Sequence, residues 1–104
     1  MTLRIRYVES GGFAGLVREC VVDAAALAPA AATAVKRLVK AAPLSKLKTI
    51  RTEGVADLLN HDLSIETDAG TYHLSFDDLS LPKALKPLLA FLASRLRPVP
   101  PSRR

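Results

Sequence analysis

The chain has 104 residues, 49% of them hydrophobic, with 15 Lys and Arg residues against 10 Asp and Glu. A chain this short has room for one core that buries roughly two thirds of its unfolded surface, which predicts a single domain and argues against a two-domain enzyme with a cleft. No run of about eighteen apolar residues is present, so no membrane span is predicted. The charges within the first nine positions argue against a secretion signal, and we expect a cytoplasmic protein.

The N-terminal region predicts a β-hairpin. Residues 2–9 alternate between apolar and polar side chains, which is the period of a half-buried strand. The Ser-Gly-Gly segment at 10–12 breaks the pattern, and a second β-rich run follows over 13–22. The single cysteine, Cys20, excludes an internal disulfide and is expected to be a small core residue of that run.

A helix is predicted over residues 29–42. Its apolar residues are spaced i, i+3, i+4 and i+7, at Val35, Leu38, Val39 and Ala42. Pro29 suits the first turn and Pro43 ends the helix. Residues 43–61 show no sustained period, and a long connection and a short extra helix fit them equally well.

The second half of the chain repeats this order. Residues 63–67 and 72–76 alternate on either side of an Asp-Ala-Gly turn at 68–70, which predicts a second hairpin. A final helix follows with a leucine stripe, and Pro87 divides it into a short first turn at 81–85 and a main body from Lys86 or Pro87. Prolines 98, 100 and 101 end it.

These elements predict an α+β fold in the order ββαββα. Two hairpins form an antiparallel sheet of about four strands, and both helices pack on one face of it. We expect a single domain over residues 1–97 and a disordered, basic, Pro-rich tail over 98–104. The other face of the sheet would point to solvent or to a partner, and it carries Arg4, Arg6, Glu66 and His73.

The residues that could perform chemistry are few. His61 is expected in a loop and His73 on the polar face of a strand. They are twelve residues apart, and neither has a Cys or carboxylate at a metal-ligand spacing, so no metal and no cofactor are predicted. No serine lies in a nucleophile elbow, which needs flanking glycines. The adjacent Asp77 and Asp78 fit helix capping better than a catalytic pair. The sequence therefore does not indicate an enzyme.

The net charge of +5 raises the question of nucleic-acid binding. The basic residues are dispersed along the chain, and the three Phe, two Tyr and no Trp provide few stacking platforms. The sequence therefore predicts no nucleic-acid partner, and the charge is better explained by solvated faces.

The tip of the first hairpin has an unusual composition. Gly11, Gly12 and Gly15 surround Phe13. One interpretation is a wide turn whose Phe folds back onto the sheet. The other is a presented loop whose glycines let the backbone approach a partner while Phe13 fills a pocket. From the residues alone the two interpretations are about equal.

At these residues the sequence resembles the emfourin-like protein inhibitors of thermolysin-like zinc metalloproteases, named for the inhibitor that accompanies protealysin. The resemblance covers nearly the whole chain. Its segments are the strand Leu3 to Tyr7, the tip from Ser10 through Gly-Gly-Phe-Ala-Gly to Leu16, the strand end Val22-Asp23, the helix from Val35 to Ala42, and the Pro-interrupted segment Leu81 to Leu89.

The resemblance implies a stoichiometric inhibitor that covers the active-site cleft of a thermolysin-like metalloprotease. Such enzymes bind substrate as an extended strand and favour a bulky apolar residue just after the scissile bond. This implies an inhibitory contact at the tip, made by Ser10, Gly11, Gly12, Phe13, Ala14 and Gly15. A secondary contact is expected on the polar face of the sheet, at Arg4, Arg6 and His73.

Two other function classes fit the composition. One is a small intracellular module that binds a protein other than a protease, with its basic surface steering association. The other is a basic nucleic-acid binder. The sequence leaves the oligomeric state open, with a monomer as the expectation.

Overall fold

The structure, a computed structural model, describes residues 2–11, 16–47 and 58–100. A five-stranded antiparallel sheet carries both helices on one face, so the predicted α+β architecture is confirmed. The strands are β1 (Leu3–Gly11), β2 (Leu16–Asp23), β3 (Leu59–Thr67), β4 (Gly70–Asp77) and β5 (Arg97–Pro98), and the helices are α1 (Pro29–Ala41) and α2 (Lys86–Ala93). The order remains ββαββα, and β5 is a short addition to the four expected strands.

Strand β1 lies at the centre of the sheet, whose order is β4-β3-β1-β2-β5. It pairs with β2 from Arg4 to Gly11 and with β3 from Leu3 to Gly11. Both hairpins therefore meet along β1, and the backbone of this strand has a partner on each side.

The core forms between the inner face of the sheet and the helices. Because successive side chains of a strand point to opposite faces, Leu3, Ile5 and Tyr7 are buried together while Arg4 and Arg6 are exposed. The matching positions of the neighbouring strands complete the apolar face, at Cys20, Val22, Leu63, Ile65, Leu74 and Phe76. The helices and the 3-10 turn before α2 cover it mainly with Val35, Leu85, Leu88, Leu89 and Leu92.

The prolines set the helix boundaries, as predicted. Helix α1 has Pro29 in its first turn and ends two residues before Pro43. A 3-10 turn over Lys83–Leu85 precedes α2, which begins at Lys86. Pro87 then lies in the first turn of α2, where its missing N–H removes no helical hydrogen bond. Neither helix of the described residues is long and apolar enough to cross a membrane.

The region 43–61 contains more strand than the sequence indicated. Leu44–Lys46 form a single 3-10 turn, and β3 begins at Leu59, four residues before the predicted strand. The earlier start follows from pairing, because Leu59 and Asn60 continue the ladder with β1. Residues 48–57 lie outside the described part of the chain.

The predicted boundary of the disordered tail was placed too early. Arg97 and Pro98 pair with β2 as β5. The amide of Val99 donates to the carbonyl of Val17 at 2.8 Å, and the Val99 side chain is buried. The ordered part therefore extends past residue 97, and residues 101–104 lie outside the described residues.

The Asp77-Asp78 pair does not cap a helix, contrary to expectation. Oδ1 of Asp77 accepts hydrogen bonds from the amides of Leu79 and Ser80, both at 2.9 Å, and so closes the turn after β4. Helix α2 begins several residues later. The two carboxylates have separate partners, because Asp78 instead contacts His61.

The fold predicts unequal costs for the same truncation at two leucines. Leu92 is fully buried and Leu79 is 65% exposed. We expect Leu92→Ala to lower the free energy of unfolding by about 2–5 kcal/mol, because it leaves a cavity in the core. Leu79→Ala should change it by less than about 0.5 kcal/mol. Urea denaturation of both variants checks this, and equal losses would contradict the packing described.

Candidate functional site at the hairpin tip

The structure fixes the base of the predicted inhibitory tip, residues 10–15. Ser10 pairs with Val17 on one side and Asn60 on the other, and Gly11 closes both ladders. The four residues that follow, Gly12, Phe13, Ala14 and Gly15, lie outside the described part of the chain. The tip therefore starts from a strand end that is held from both sides.

Gly11 is required where it stands. Its φ of +87° lies in the region that side chains rarely adopt. A Cβ added there would also lie 3.0 Å from the carbonyl oxygen of Leu58 and 3.1 Å from Nδ2 of Asn60. The backbone of β1 thus passes close to the start of β3 as it enters the tip.

Leu16 lies at the other end of the tip and is exposed. Its position on β2 shares a face with the buried residues Cys20 and Val22, yet 57% of Leu16 is accessible. The described residues therefore place one uncovered apolar side chain at the start of β2, where the chain leaves the tip.

Beneath the tip lies a chain of polar side chains that we call the polar network: Arg18, Glu9, Tyr7, His61 and Asp78. The Arg18 guanidinium donates to Glu9, and the Tyr7 hydroxyl lies 3.4 Å from Oε2 of Glu9. The same hydroxyl lies 2.7 Å from Nδ1 of His61. Nε2 of His61 lies 2.7 Å from Oδ1 of Asp78.

Strand register brings these residues together. Glu9 pairs with Arg18 of β2 and with His61 of β3, so the three form one row across the inner face. Tyr7 occupies the next row towards the core, and its ring stacks on that of His61 with centroids 6.1 Å apart. Asp78 completes the network from the turn after β4. This row lies between the apolar core and the tip.

Burial determines the electrostatics of the network. Tyr7, Glu9 and His61 are each less than a tenth exposed. Burial, and then the charge of Glu9, raise the pKa of Tyr7 well above its usual range, so its hydroxyl stays protonated. The Arg18 guanidinium neutralises the buried Glu9 carboxylate.

The partners of His61 also define where the protons lie. A carboxylate accepts hydrogen bonds, so Nε2 of His61 carries a proton and donates it in a hydrogen bond to Oδ1 of Asp78. In the neutral ring Nδ1 then accepts from the Tyr7 hydroxyl. In a doubly protonated ring Nδ1 donates instead, and the hydroxyl proton turns to Glu9. Tyr7 and both ring nitrogens of His61 therefore have hydrogen-bond partners whether the ring is neutral or doubly protonated.

Sequence reasoning did not identify this network. It placed His61 in a loop, whereas the structure buries it on β3. One signal in the sequence could have indicated part of it. The alternation of β1 assigns Glu9 to the same face as Tyr7, and the hairpin pairs Glu9 with the cation Arg18 on that face. The partners His61 and Asp78 come from the second hairpin, and local patterns carry no information about that contact.

The three residues predicted as a secondary contact do share the outer face. Arg4, Arg6 and His73 are exposed there and line a shallow depression of about 150 Å³ with Ser64, Glu66 and Thr71. Arg4 lies at the opposite end of β1 from Gly11, about 23 Å along the strand. Several rows of the sheet therefore separate Arg4 from the tip.

The arginines of the outer face have acidic partners. Arg6 binds Oε2 of Glu19 through Nη2 at 2.6 Å and Nε at 2.9 Å. Arg4 lies 3.5 Å from Asp23, and Ser64 lies 3.0 Å from Nδ1 of His73. Such a mixture of charges differs from the continuous cationic track that a phosphate backbone needs.

The described residues contain no group of three metal-ligating side chains. Cys20, the single thiol, is buried, its Sγ lies 3.6 Å from the carbonyl oxygen of Leu92, and burial raises the pKa of the thiol. A thiolate nucleophile is therefore disfavoured at this position.

The family comparison agrees with the segments named above. The model of the family described as Emfourin matches residues 7–93, which include β1 from Tyr7, the tip and α2. No curated protein and no solved structure matches the chain.

The raised pKa of Tyr7 predicts a loss of stability in alkali. An unfolded tyrosine ionises near pH 10 and the folded one does so only at higher pH, so the stabilisation is complete below pH 10 and is lost above it. Above pH 10 we expect the wild type to lose about 1.4 kcal/mol more per pH unit than Tyr7→Phe. Urea denaturation from pH 9 to 11 measures it, with Tyr72→Phe as control. Equal pH slopes in the wild type and Tyr7→Phe would rule out the buried phenol.

The two Arg–Glu pairs on opposite faces predict different costs of neutralisation. Glu9→Gln removes the charge that Arg18 and the buried network depend on, and we expect a loss of about 1–2 kcal/mol, reduced by the partial exposure of Arg18. Glu19→Gln breaks the exposed pair with Arg6 and should cost less than about 1 kcal/mol. Thermal unfolding compares the two. A greater loss for Glu19→Gln would argue against the network.

Proposed function

The chain belongs to the Emfourin family, a family of protease inhibitors, and on that basis we propose that it inhibits thermolysin-like zinc metalloproteases by stoichiometric binding over the active-site cleft. The observation that carries the proposal is the hairpin tip, whose base is paired on both sides up to Gly11. An inhibitor of this kind performs no chemistry. It needs a segment that fits the cleft and a platform that holds that segment in place.

The composition of the tip fits an extended-strand cleft. In the proposal, Gly11 and Gly12 allow the backbone to approach the enzyme closely, and Phe13 fills the apolar pocket that normally takes the residue after the scissile bond. Leu16 adds a second apolar side chain at the tip, and its 57% exposure leaves it free for contact. Ser10, Ala14 and Gly15 complete the contacting segment.

The polar network supports the proposal through rigidity. Glu9 and Arg18 join β1 to β2 one row before the tip, and Tyr7 and His61 join β1 to β3. A segment whose ends are fixed loses less conformational entropy on binding. The same restraint opposes the backbone distortion that cleavage requires, so the tip would persist as an inhibitor.

The outer face provides the proposed secondary contact. Arg4, Arg6 and His73 are all exposed on it. Their place along β1 and β4 suits an enzyme surface that extends beyond the cleft rather than the cleft itself. Rim charges of this kind act mainly on the association rate.

Titration of an active thermolysin-like protease tests the proposal. We expect activity to fall linearly with added protein and to end at one molecule per enzyme. A panel of such proteases identifies the susceptible enzymes. No inhibition across the panel would overturn the proposal in favour of a binding module with a partner other than a protease.

Phe13→Ala tests the role of the tip. We expect the inhibition constant to rise about 30-fold or more, because a buried aromatic anchor contributes about 2 kcal/mol. Lys86→Ala is the control, since Lys86 is an exposed residue of α2 that lies outside both proposed contacts. Circular dichroism confirms the fold of both. Unchanged inhibition by a folded Phe13→Ala protein would remove Phe13 from the contact.

A further inference from the structure

A groove runs between α1 and the end of the sheet that lies opposite the tip. It has a volume of about 310 Å³ and a mostly apolar lining. Leu3, Val39 and Thr67 contribute to its floor, and Lys36, Arg37 and Lys40 surround it. Leu3 and Gly11 are eight residues apart on β1, which places the groove about 26 Å from the tip.

All three charged residues that line this groove, Lys36, Arg37 and Lys40, are cations. Residues 24–52 include six Lys and Arg and no Asp or Glu. In the described part of the chain, no acidic side chain forms an ion pair with Lys36, Arg37 or Lys40. The arginines of β1 and β2 differ in this respect, because Arg4, Arg6 and Arg18 each have a carboxylate partner.

Helix α1 also leaves apolar surface uncovered. Of its thirteen residues only Val35 is buried, while Leu38 and Val39 are partly buried. Lys36 is half-buried and lines the groove. A lysine in such a place can pack its aliphatic stem on apolar surface while its ammonium group stays in water. Apolar surface bordered by unpaired cations is complementary to a ligand with an apolar centre and anionic flanks.

We propose that this groove binds an acidic segment of a partner protein. One apolar side chain of the segment packs on Leu3 and Val39, and flanking carboxylates pair with Lys36, Arg37 and Lys40. The groove is open along its length and small for a ligand pocket, which suits a side chain presented by a larger partner rather than an enclosed small molecule. This surface is separate from the tip, so the inference does not depend on protease inhibition.

A labelled peptide provides the first test. The probe is a short peptide in which Leu-Phe is flanked on both sides by Glu residues, and binding to the full chain is followed by fluorescence anisotropy and by amide chemical shifts. We expect the shifts to concentrate in α1 and at Leu3 and Thr67. A peptide with Ser-Ser in place of Leu-Phe should bind at least about fivefold more weakly, because it has no apolar side chain to bury. Equal affinity of the two peptides, or no binding at low salt, would overturn the proposal.

Charge reversal tests the rim. The double variant Lys36→Glu, Arg37→Glu should weaken binding about tenfold, because it replaces two attractive contacts with repulsive ones. The matched control is Lys83→Glu, Lys86→Glu, which has the same net charge and changes exposed lysines away from the groove. An equal loss in the control would show that net charge alone attracts the peptide, and the groove would then have no specific role.

The same variants separate the proposal from a nucleic-acid site. A fluorescent DNA duplex is titrated under identical conditions. Binding of the peptide in preference to the duplex supports the acidic-segment proposal. Tighter binding of the duplex, abolished by Lys36→Glu, Arg37→Glu, would overturn it and assign the basic face to phosphate.

Discussion

The two-sided pairing of β1 is the constraint on which the rest of the structure depends. Because β1 pairs with β2 and β3 over nearly its whole length, the alternation of its side chains sets the inner and outer faces of both neighbours. A shift of one residue would place Arg4 and Arg6 under the helices and Ile5 and Tyr7 in solvent. Such a shift would bury two charges and expose two core residues, so the register is strongly specified.

The same register explains why a polar row can be buried at the end of the core. Glu9 continues the inner face of β1 after Tyr7, where the apolar cover of the helices gives way to the tip. A carboxylate at such a position is costly unless it is paired, and the register supplies Arg18 from one neighbour and His61, through Tyr7, from the other. The row thus joins three strands at the level where the candidate site begins.

The features that depend on neighbouring residues in the sequence were predicted correctly. The period of β1, the Asp-Ala-Gly turn and the positions of Pro29, Pro43 and Pro87 were sufficient for both hairpins and both helices. The start of β3 at Leu59, the pairing of β5 and the burial of His61 depend on partners far along the chain, and no period of the sequence encodes them. The tip and the outer-face residues were proposed from composition and resemblance, whereas the network beneath the tip could be identified only from the register.

The ion pairs of the sheet show that the net positive charge is not evenly distributed over the molecule. In the sheet, Arg4, Arg6 and Arg18 are each balanced by a nearby carboxylate, so these cations contribute little field at a distance. The unbalanced cations of the described residues include those of α1, at the end of the molecule opposite the tip. Lys36, Arg37 and Lys40 of α1 lie within five residues of one another and have no carboxylate partner in the described part of the chain, so an acidic partner would be attracted to this face. Binding at the proposed tip would depend instead on shape and apolar contact, because residues 10–15 include no charged side chain.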